Sequence, residues 1–429
     1  MTTAKSSVQR VSAARARSRS SSKVDSQLLV LVTLGLVAFG LVMVYSATSA
    51  PAALARTDPM SYLKKQAVYA LIGVLLMMTA ARFDYRRLRE LAPGLVLTSL
   101  FLCLVVLAIG TRVNGARRWI AFGPATFQPS ELAKLALAVW AAAYLCRRPA
   151  PRTLKQLWRP IGMLLGLFCL LVLLEPDLGT VIAIVVVLAA ILLISGTPPR
   201  TLAAGASIAV ALGLAAIWFE PYRRARLFSF LDPWKDPQGA GFQTVQALIG
   251  LGSGGLFGVG LGQGVTKINY LPEAHTDMIM AVIGEELGLV GVTVVIAAFA
   301  TFAYAGVRVA LACKDPFGKR LAAGLVALVC GQAVINLGAV LGLAPLTGIP
   351  LPFISYGGSS LVVALVSVGV LLNIAGGHGA ERRAAVPDRG RRDGGTRAAG
   401  ARRRRGARAA GSARDVRRVA RSRRSAARP

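Results

Sequence analysis

The sequence predicts an all-α polytopic membrane protein with ten transmembrane helices, both termini cytoplasmic, and a large extracytoplasmic loop between helices seven and eight. Composition is the first reason. Of the 429 residues 55% are hydrophobic and 16% charged, and mean hydropathy is +0.58, which excludes a disordered polymer and does not suit an ordinary soluble domain. Charge placement is the second. The formal charge is +31, yet residues 377–429 alone hold 18 Arg against four acids, and residues 1–27 hold six bases against one acid. The chain therefore divides into a basic, disordered cytoplasmic N-tail at 1–27, a membrane domain at 28–376 and an Arg-rich, disordered cytoplasmic C-tail at 377–429.

The apolar runs are the third reason. A helix needs about 20 apolar residues to cross roughly 30 Å of hydrocarbon. Candidate spans lie at 28–47, 65–81, 94–110, 130–146, 160–174, 177–195, 201–219, 277–307, 321–343 and 354–376. The fifth and sixth are short and meet at Glu175, Pro176 and Asp177, so one broken re-entrant pair is the alternative. The first span follows an Arg/Ser-rich stretch without a small-residue cleavage site and reads as a retained anchor, not a signal peptide. With the N-tail inside, the tails and the inner segments at 82–90, 147–159, 200 and 308–320 collect 38 of the 50 Lys and Arg, as the positive-inside rule requires. The opposite orientation would carry 24 tail bases across the membrane.

Some chemistries are excluded early. Cys103, Cys146, Cys169, Cys313 and Cys330 are too scattered for a CxxC pair, a zinc spacing or a disulfide framework. His275 and His378 are about a hundred residues apart, so no histidine metal cluster is encoded. Gly250, Gly252 and Gly255 formally match GxGxxG, but no βαβ unit surrounds them. These glycines instead suit close helix or loop packing. The C-tail, with four consecutive Arg at 402–405, lacks the aromatic residues that stack nucleic-acid bases. No nucleic acid is expected; anionic lipid or an acidic partner is the expected contact.

Charges at membrane depth are functional candidates by default. Here they are Glu131, Lys134, Glu175, Asp177, Asp277, Glu285 and Glu286. Glu131 and Lys134 share a helical face and can pair with each other. Asp177 can cap the helix after Pro176. Asp277 differs, because it sits where the 220–276 outer loop meets the eighth span. Partial desolvation there would raise its pKa towards the range of a general base, although an N-cap role is the simpler alternative. Glu285 and Glu286 lie about 12–14 Å deeper and read as structural partners or a polar interior, not as the reacting group. Two further outer loops, 111–130 and 344–353, carry the remaining polar motifs.

Four segments resemble signatures of the FtsW/RodA/SpoVE family, the SEDS proteins of bacterial cell-wall synthesis. The first is Asn114, Gly115, Ala116, Arg117, Arg118 and Trp119, followed by Gln128, Pro129, Ser130, Glu131, Leu132, Ala133 and Lys134. The others are Glu175, Pro176, Asp177, Leu178 and Gly179, then residues 271–286, then 351–360. The resemblance spans about 28–376 and neither tail. It implies a peptidoglycan glycosyltransferase acting on lipid II at the outer face of the membrane, with Asp277 catalytic. One carboxylate base suffices for a single inverting displacement, since undecaprenyl pyrophosphate is already a good leaving group.

Lys134, Arg117 and Arg118 are the candidates for steadying the pyrophosphate, and Lys134 could alternatively pair with Asp277 at rest. Trp119, Glu131, Glu273, His275 and Ser355 complete the substrate-binding candidates. No residue set forms a dedicated metal cage; a divalent cation could assist the pyrophosphate. Met278 stands where the family usually has Phe, and wall packing should tolerate it. Ala274 resembles the division branch, where the elongation branch often has Arg. Such proteins act with a class B penicillin-binding protein, a transpeptidase, among other divisome proteins. Two rival readings stay open: a lipid II flippase or other transporter, and a non-catalytic scaffold. No convincing internal repeat of the transporter kind is seen.

Overall fold

The computed structural model describes residues 2–377, apart from 55, 114, 115, 124, 269 and 270. The Arg-rich C-tail, His378 and the Asn114-Gly115 pair thus lie outside the described residues. The architecture is mostly helical. In chain order come α1 (Thr2–Leu54), α2 (Ser61–Arg82), α3 (Leu88–Ile109), strands β1 (Thr111–Val113), β2 (Ala116–Phe122) and β3 (Ala125–Phe127), and α4 (Pro129–Arg147). They are followed by α5 (Leu154–Leu157), which runs through one irregular turn into α6 (Met163–Leu174), then α7 (Leu178–Ile194) and α8 (Pro199–Trp218). The long loop at 220–276 contains α9 (Pro221–Leu231) and α10 (Phe242–Ser253). The chain then closes with α11 (Ile279–Ala312), α12 (Pro316–Val340) and α13 (Gly358–Gly376).

Among the described residues, eight helices are long and apolar enough to cross a membrane: Lys23–Leu54, Ser61–Arg82, Tyr85–Ile109, Leu154–Leu174, Pro199–Trp218, Ile279–Ala312, Pro316–Val340 and Gly358–Gly376. The helix α7 is apolar but shorter, at 17 residues. Within α4, Glu131 and Lys134 are both buried, and Arg147 at its end is exposed. Exposed positions on the long helices remain apolar, for example Leu97, Phe101 and Leu104 on α3 and Val210, Leu212 and Leu214 on α8. A lipid environment selects that pattern, because it leaves no water for polar side chains to meet.

Two expectations are corrected. The N-tail was expected to be disordered, yet α1 starts at Thr2. Residues 2–34 contain no Gly or Pro, the two residue types least compatible with helix. The fold is also not purely α. The loop at 111–130 forms a three-stranded antiparallel sheet in the order β1-β2-β3, with Thr111 opposite Trp119 and Ile120 opposite Phe127. Its residues are rich in β-branched and aromatic types, which fit a pleated surface. A turn through Gly123 at φ +61 joins β2 to β3.

Packing explains why the polar loops converge. α13 lies mainly against α2, α1 against α11, and α12 against α11, α7 and α4. The core runs along α11, α12 and α13, with Phe302, Phe317, Leu325 and Val368 fully buried. The helix α11 is interrupted at Gly288, whose φ of +64 and ψ of −162 are not helical. The glycine run after α10 enters this break: Val259 N and Gly260 N donate to Glu285 O and Glu286 O, while Leu289 N and Val290 N donate to Gly255 O and Leu256 O. Close packing holds for Gly254, Gly258 and Gly264, where a Cβ would meet α11, and not for Gly252 or Gly255, which have open space around them. Glu285 accepts from Val265 N (2.8 Å), Thr266 N and the Thr266 hydroxyl. Both glutamates thus hold the loop, as structural partners.

Candidate active site

Asp277 lies two residues before α11, in the segment that joins the 220–276 loop to that helix. The cap position of α11 is Met278, without a side-chain capping bond. Capping is therefore not what holds this carboxylate. Its main chain is pinned from behind: Asn336 Nδ2, on α12, donates to Asp277 O at 2.7 Å and to Ile349 O at 2.9 Å. Thr276 Oγ1 stands 3.2 Å from Asp277 Oδ1 and 2.9 Å from Glu273 O. The residue keeps 9% of its surface. Burial pushes its pKa up to about 6, against the Arg226 guanidinium and the Thr276 hydroxyl, which pull it down. Such a carboxyl is mostly ionised at neutral pH yet basic enough to take a proton.

The neighbouring His275 is a packing element. Its ring meets Tyr62 at 4.6 Å and Tyr356 at 5.5 Å between centroids, and its carbonyl accepts from Tyr356 N at 2.9 Å. Burial lowers its pKa, which favours the neutral imidazole. Glu273 takes a left-handed φ of +55, an uncommon conformation for a side chain of this kind. Ser355 is turned into its own loop, with Oγ accepting from Leu351 N at 2.8 Å and its carbonyl from Gln66 Nε2 at 3.1 Å.

From here a chain of hydrogen bonds joins all the singled-out segments. Tyr356 ties the 351–360 segment to His275. Ser359 Oγ accepts from Gln128 N at 3.0 Å, and Gln128 Nε2 donates to Asp177 Oδ2 at 3.2 Å. Asp177 caps α7 by accepting from Thr180 N (3.0 Å) and Thr180 Oγ1 (2.8 Å), as the sequence leads one to expect. Arg118 then clamps the turn before it, donating from Nε to Glu175 O at 3.0 Å and from Nη2 to Pro176 O. Arg117 Nη1 donates to the last carbonyls of α3, Leu107 O and Ala108 O, both at 3.1 Å. Trp119 is half-buried in β2, its carbonyl accepting from Thr111 Oγ1 at 3.1 Å.

Lys134 does not reach Asp277. It pairs with Glu131 at 2.7 Å, three residues away on α4, and both side chains are buried. That local partner satisfies the ammonium, so the resting pair once expected with Asp277 does not form. Two residues around Asp277 escaped the sequence reading. Asn336 had a usable signal, a polar side chain within an apolar span. Arg226 had a weaker one, being one of three bases at 218–230, a segment otherwise rich in aromatic residues.

The family model for FtsW, RodA and SpoVE, described as a cell cycle protein, matches residues 26–378. The chain belongs to the FtsW/RodA/SpoVE family. It is 44% identical over 350 residues to a probable peptidoglycan glycosyltransferase FtsW of Geobacter sulfurreducens, covering 81% of this chain and 94% of that one. It is 39% identical over 352 residues to the stage V sporulation protein E of Bacillus subtilis, covering 81% and 96%. A solved peptidoglycan synthase complex that coordinates polymerization and crosslinking contains a chain 34% identical, aligned with a TM-score of 0.68 over 81% of this chain and 96% of that chain. As an FtsW/RodA/SpoVE member, this is a multi-pass membrane protein, in keeping with the eight long apolar helices among the described residues.

Proposed function

We propose that the chain is a peptidoglycan glycosyltransferase that polymerises lipid II into glycan strands on the outer face of the cytoplasmic membrane. The observation that carries this reading is Asp277: a nearly buried carboxyl, its pKa raised to about 6, at the edge where the segments shared with the family are hydrogen-bonded together. Relatives that match most of the chain are named for the same activity. In the proposed step the acceptor GlcNAc 4-hydroxyl attacks the anomeric carbon of the donor strand. Its proton passes to Asp277, and the bond to undecaprenyl pyrophosphate breaks with inversion.

The full topology belongs to the same proposal: ten spans including α4 and α7, both termini cytoplasmic, and the 220–276 loop outside. So does the setting, the division septum, where a class B penicillin-binding protein would crosslink the new strands beside other divisome proteins. Arg117, Arg118 and Lys134 act in it through the fold around the pyrophosphate site, since each already holds a carbonyl or carboxylate. A divalent cation assisting the pyrophosphate would be held by the phosphates themselves. Among the described residues no three His, Cys, Asp or Glu come together to cage one.

The test is polymerisation of purified lipid II by the chain with its transpeptidase, native against Asp277→Asn. Strands from the native complex and none from the variant are expected. Strands from both would move the base elsewhere. A folded native complex that makes none would favour the flippase or scaffold readings.

A further inference from the structure

A groove of about 260 Å³ lies between α2, α13 and the start of α3. Its walls follow from helical spacing: Leu76, Thr79 and Ala80 fall on one face of α2, Val366 and Val370 on one face of α13, and Leu88 opens α3. The hydroxyl among them is satisfied within its own helix, since Thr79 Oγ1 donates to Leu76 O at 2.8 Å. The lining is therefore apolar, and the volume takes a slender acyl chain but not a helix, which is about 10–12 Å across. At one end the groove is bounded by Phe83, which is 40% exposed. The Arg87 guanidinium stands 5.6 Å from the centre of that ring, within cation–π reach. Arg82, the last residue of α2, precedes Phe83, and both arginines are exposed. Neither side chain has a hydrogen bond or an ion pair among the described residues. The charges between them are already engaged: Asp84 accepts from Arg86 N at 3.0 Å, and Arg86 lies 5.8 Å over the Tyr85 ring. An apolar groove thus ends at two cations without an anionic partner.

We propose that this groove binds an anionic glycerophospholipid, with an acyl chain between α2 and α13 and the phosphate met by Arg82 and Arg87. Charge selects the occupant. A phosphate diester accepts charge-assisted hydrogen bonds from guanidinium groups, and basic pockets between membrane helices recruit anionic headgroups. The site does not depend on the role of Asp277. It lies at the 82–90 segment, which is on the cytoplasmic side in the topology proposed above, away from the polymerising face. Its consequence reaches further than the groove, because α2 also carries Gln66, whose Nε2 donates to Ser355 O at 3.1 Å just before α13. A lipid seated against both helices braces the pair that supports the 351–360 segment.

The test is native mass spectrometry of the full chain, delipidated in detergent and titrated separately with phosphatidylglycerol, phosphatidylcholine and undecaprenyl phosphate, with melting temperature read alongside. The native chain should retain one phosphatidylglycerol where it retains neither of the others, and that lipid should raise its melting temperature. The double variant Arg82→Gln with Arg87→Gln changes two exposed residues, so it should fold normally and bind phosphatidylglycerol about tenfold more weakly, at roughly 1 kcal/mol per basic residue near a headgroup. Thr79→Trp, at an exposed position on α2, should fill the groove and remove the retained lipid. Arg147→Gln with Arg148→Gln, at the end of α4, should bind as the native chain does. Equal retention of phosphatidylglycerol and phosphatidylcholine would overturn the proposal, as would preference for undecaprenyl phosphate. Unchanged binding in the Arg82/Arg87 variant, or an equal loss in the Arg147/Arg148 variant, would also defeat it, the second by showing diffuse attraction in place of a site.

Discussion

Lys267 Nζ lies 2.6 Å from Glu286 Oε1, with 1% and 0% of the two side chains exposed. The ammonium also donates to Gly262 O at 2.8 Å and to Ser46 Oγ at 3.1 Å, and Ser46 is in turn within 2.7 Å of the same carboxylate. One buried pair therefore joins α1, the glycine loop and the broken α11. Irregular backbone inside an apolar body is tolerated only when its polar groups are met by protein, and this pair supplies part of that.

Removing one member should cost far more than removing both. Lys267→Met leaves an uncompensated buried carboxylate, a change worth about 3–5 kcal/mol, whereas an apolar replacement of both partners is often close to neutral. Thermal unfolding in detergent should show a large fall for Lys267→Met and substantial recovery for Lys267→Met with Glu286→Leu. Equal losses from the single and double variants would mean that the pair does not hold the loop.

The insertion of the glycine loop makes a second, sharper demand. Gly258 has φ +81, and a Cβ there would run into Glu286 O. Gly258→Ala should lower the melting temperature through backbone strain of about 1–3 kcal/mol and through displacement of the loop from the α11 break. Gly252 on α10 has open space around it, so Gly252→Ala should be neutral or slightly stabilising. A Gly258→Ala protein that melts with the native one would refute the insertion.

Asn336 is expected to act on rate. Its side-chain amide holds the Asp277 carbonyl and the Ile349 carbonyl together, and a shift of about 1 Å in a reacting group can cost a hundredfold. Asn336→Ala should reduce polymerisation by about that factor while transpeptidase binding persists. Native turnover in this variant would show that Asp277 is positioned by other contacts.

Glu175 should reveal itself in stability against pH. Burial, then the Asp177 carboxylate, push its pKa from 4.5 up to about 8, with Cys103 and Arg118 opposing, and no hydrogen bond of ordinary geometry reaches either oxygen. A pKa raised on folding favours the native state fully below the unfolded value, and that contribution fades as pH climbs through the folded one. The native melting temperature should therefore fall between pH 4.5 and about 8 more steeply than that of Glu175→Gln, which cannot titrate. Parallel curves would mean that the carboxyl is already solvated.

Local order explains which features could be read without coordinates. The long apolar runs, the Asp177 cap and the Glu131–Lys134 pair follow from free energies set within one or two turns of chain, so residue type and spacing suffice. Asp277 stood out for the same reason, as a carboxylate at the edge of an apolar run. Pairings between distant segments followed no such spacing. The sheet at β1 to β3 hid inside a loop too short for a clear alternation. Lys267 met Glu286, 19 residues on, only because the glycine loop folds back into α11. Lys134 found Glu131 and not Asp277 because the nearer partner satisfied it. Asn336 reached the Asp277 carbonyl from α12, and Arg226 the Leu346 carbonyl from α9, through the packing of whole helices. A charge at depth announces that it needs a partner, but the partner is chosen by whichever backbone the completed fold brings within hydrogen-bond reach.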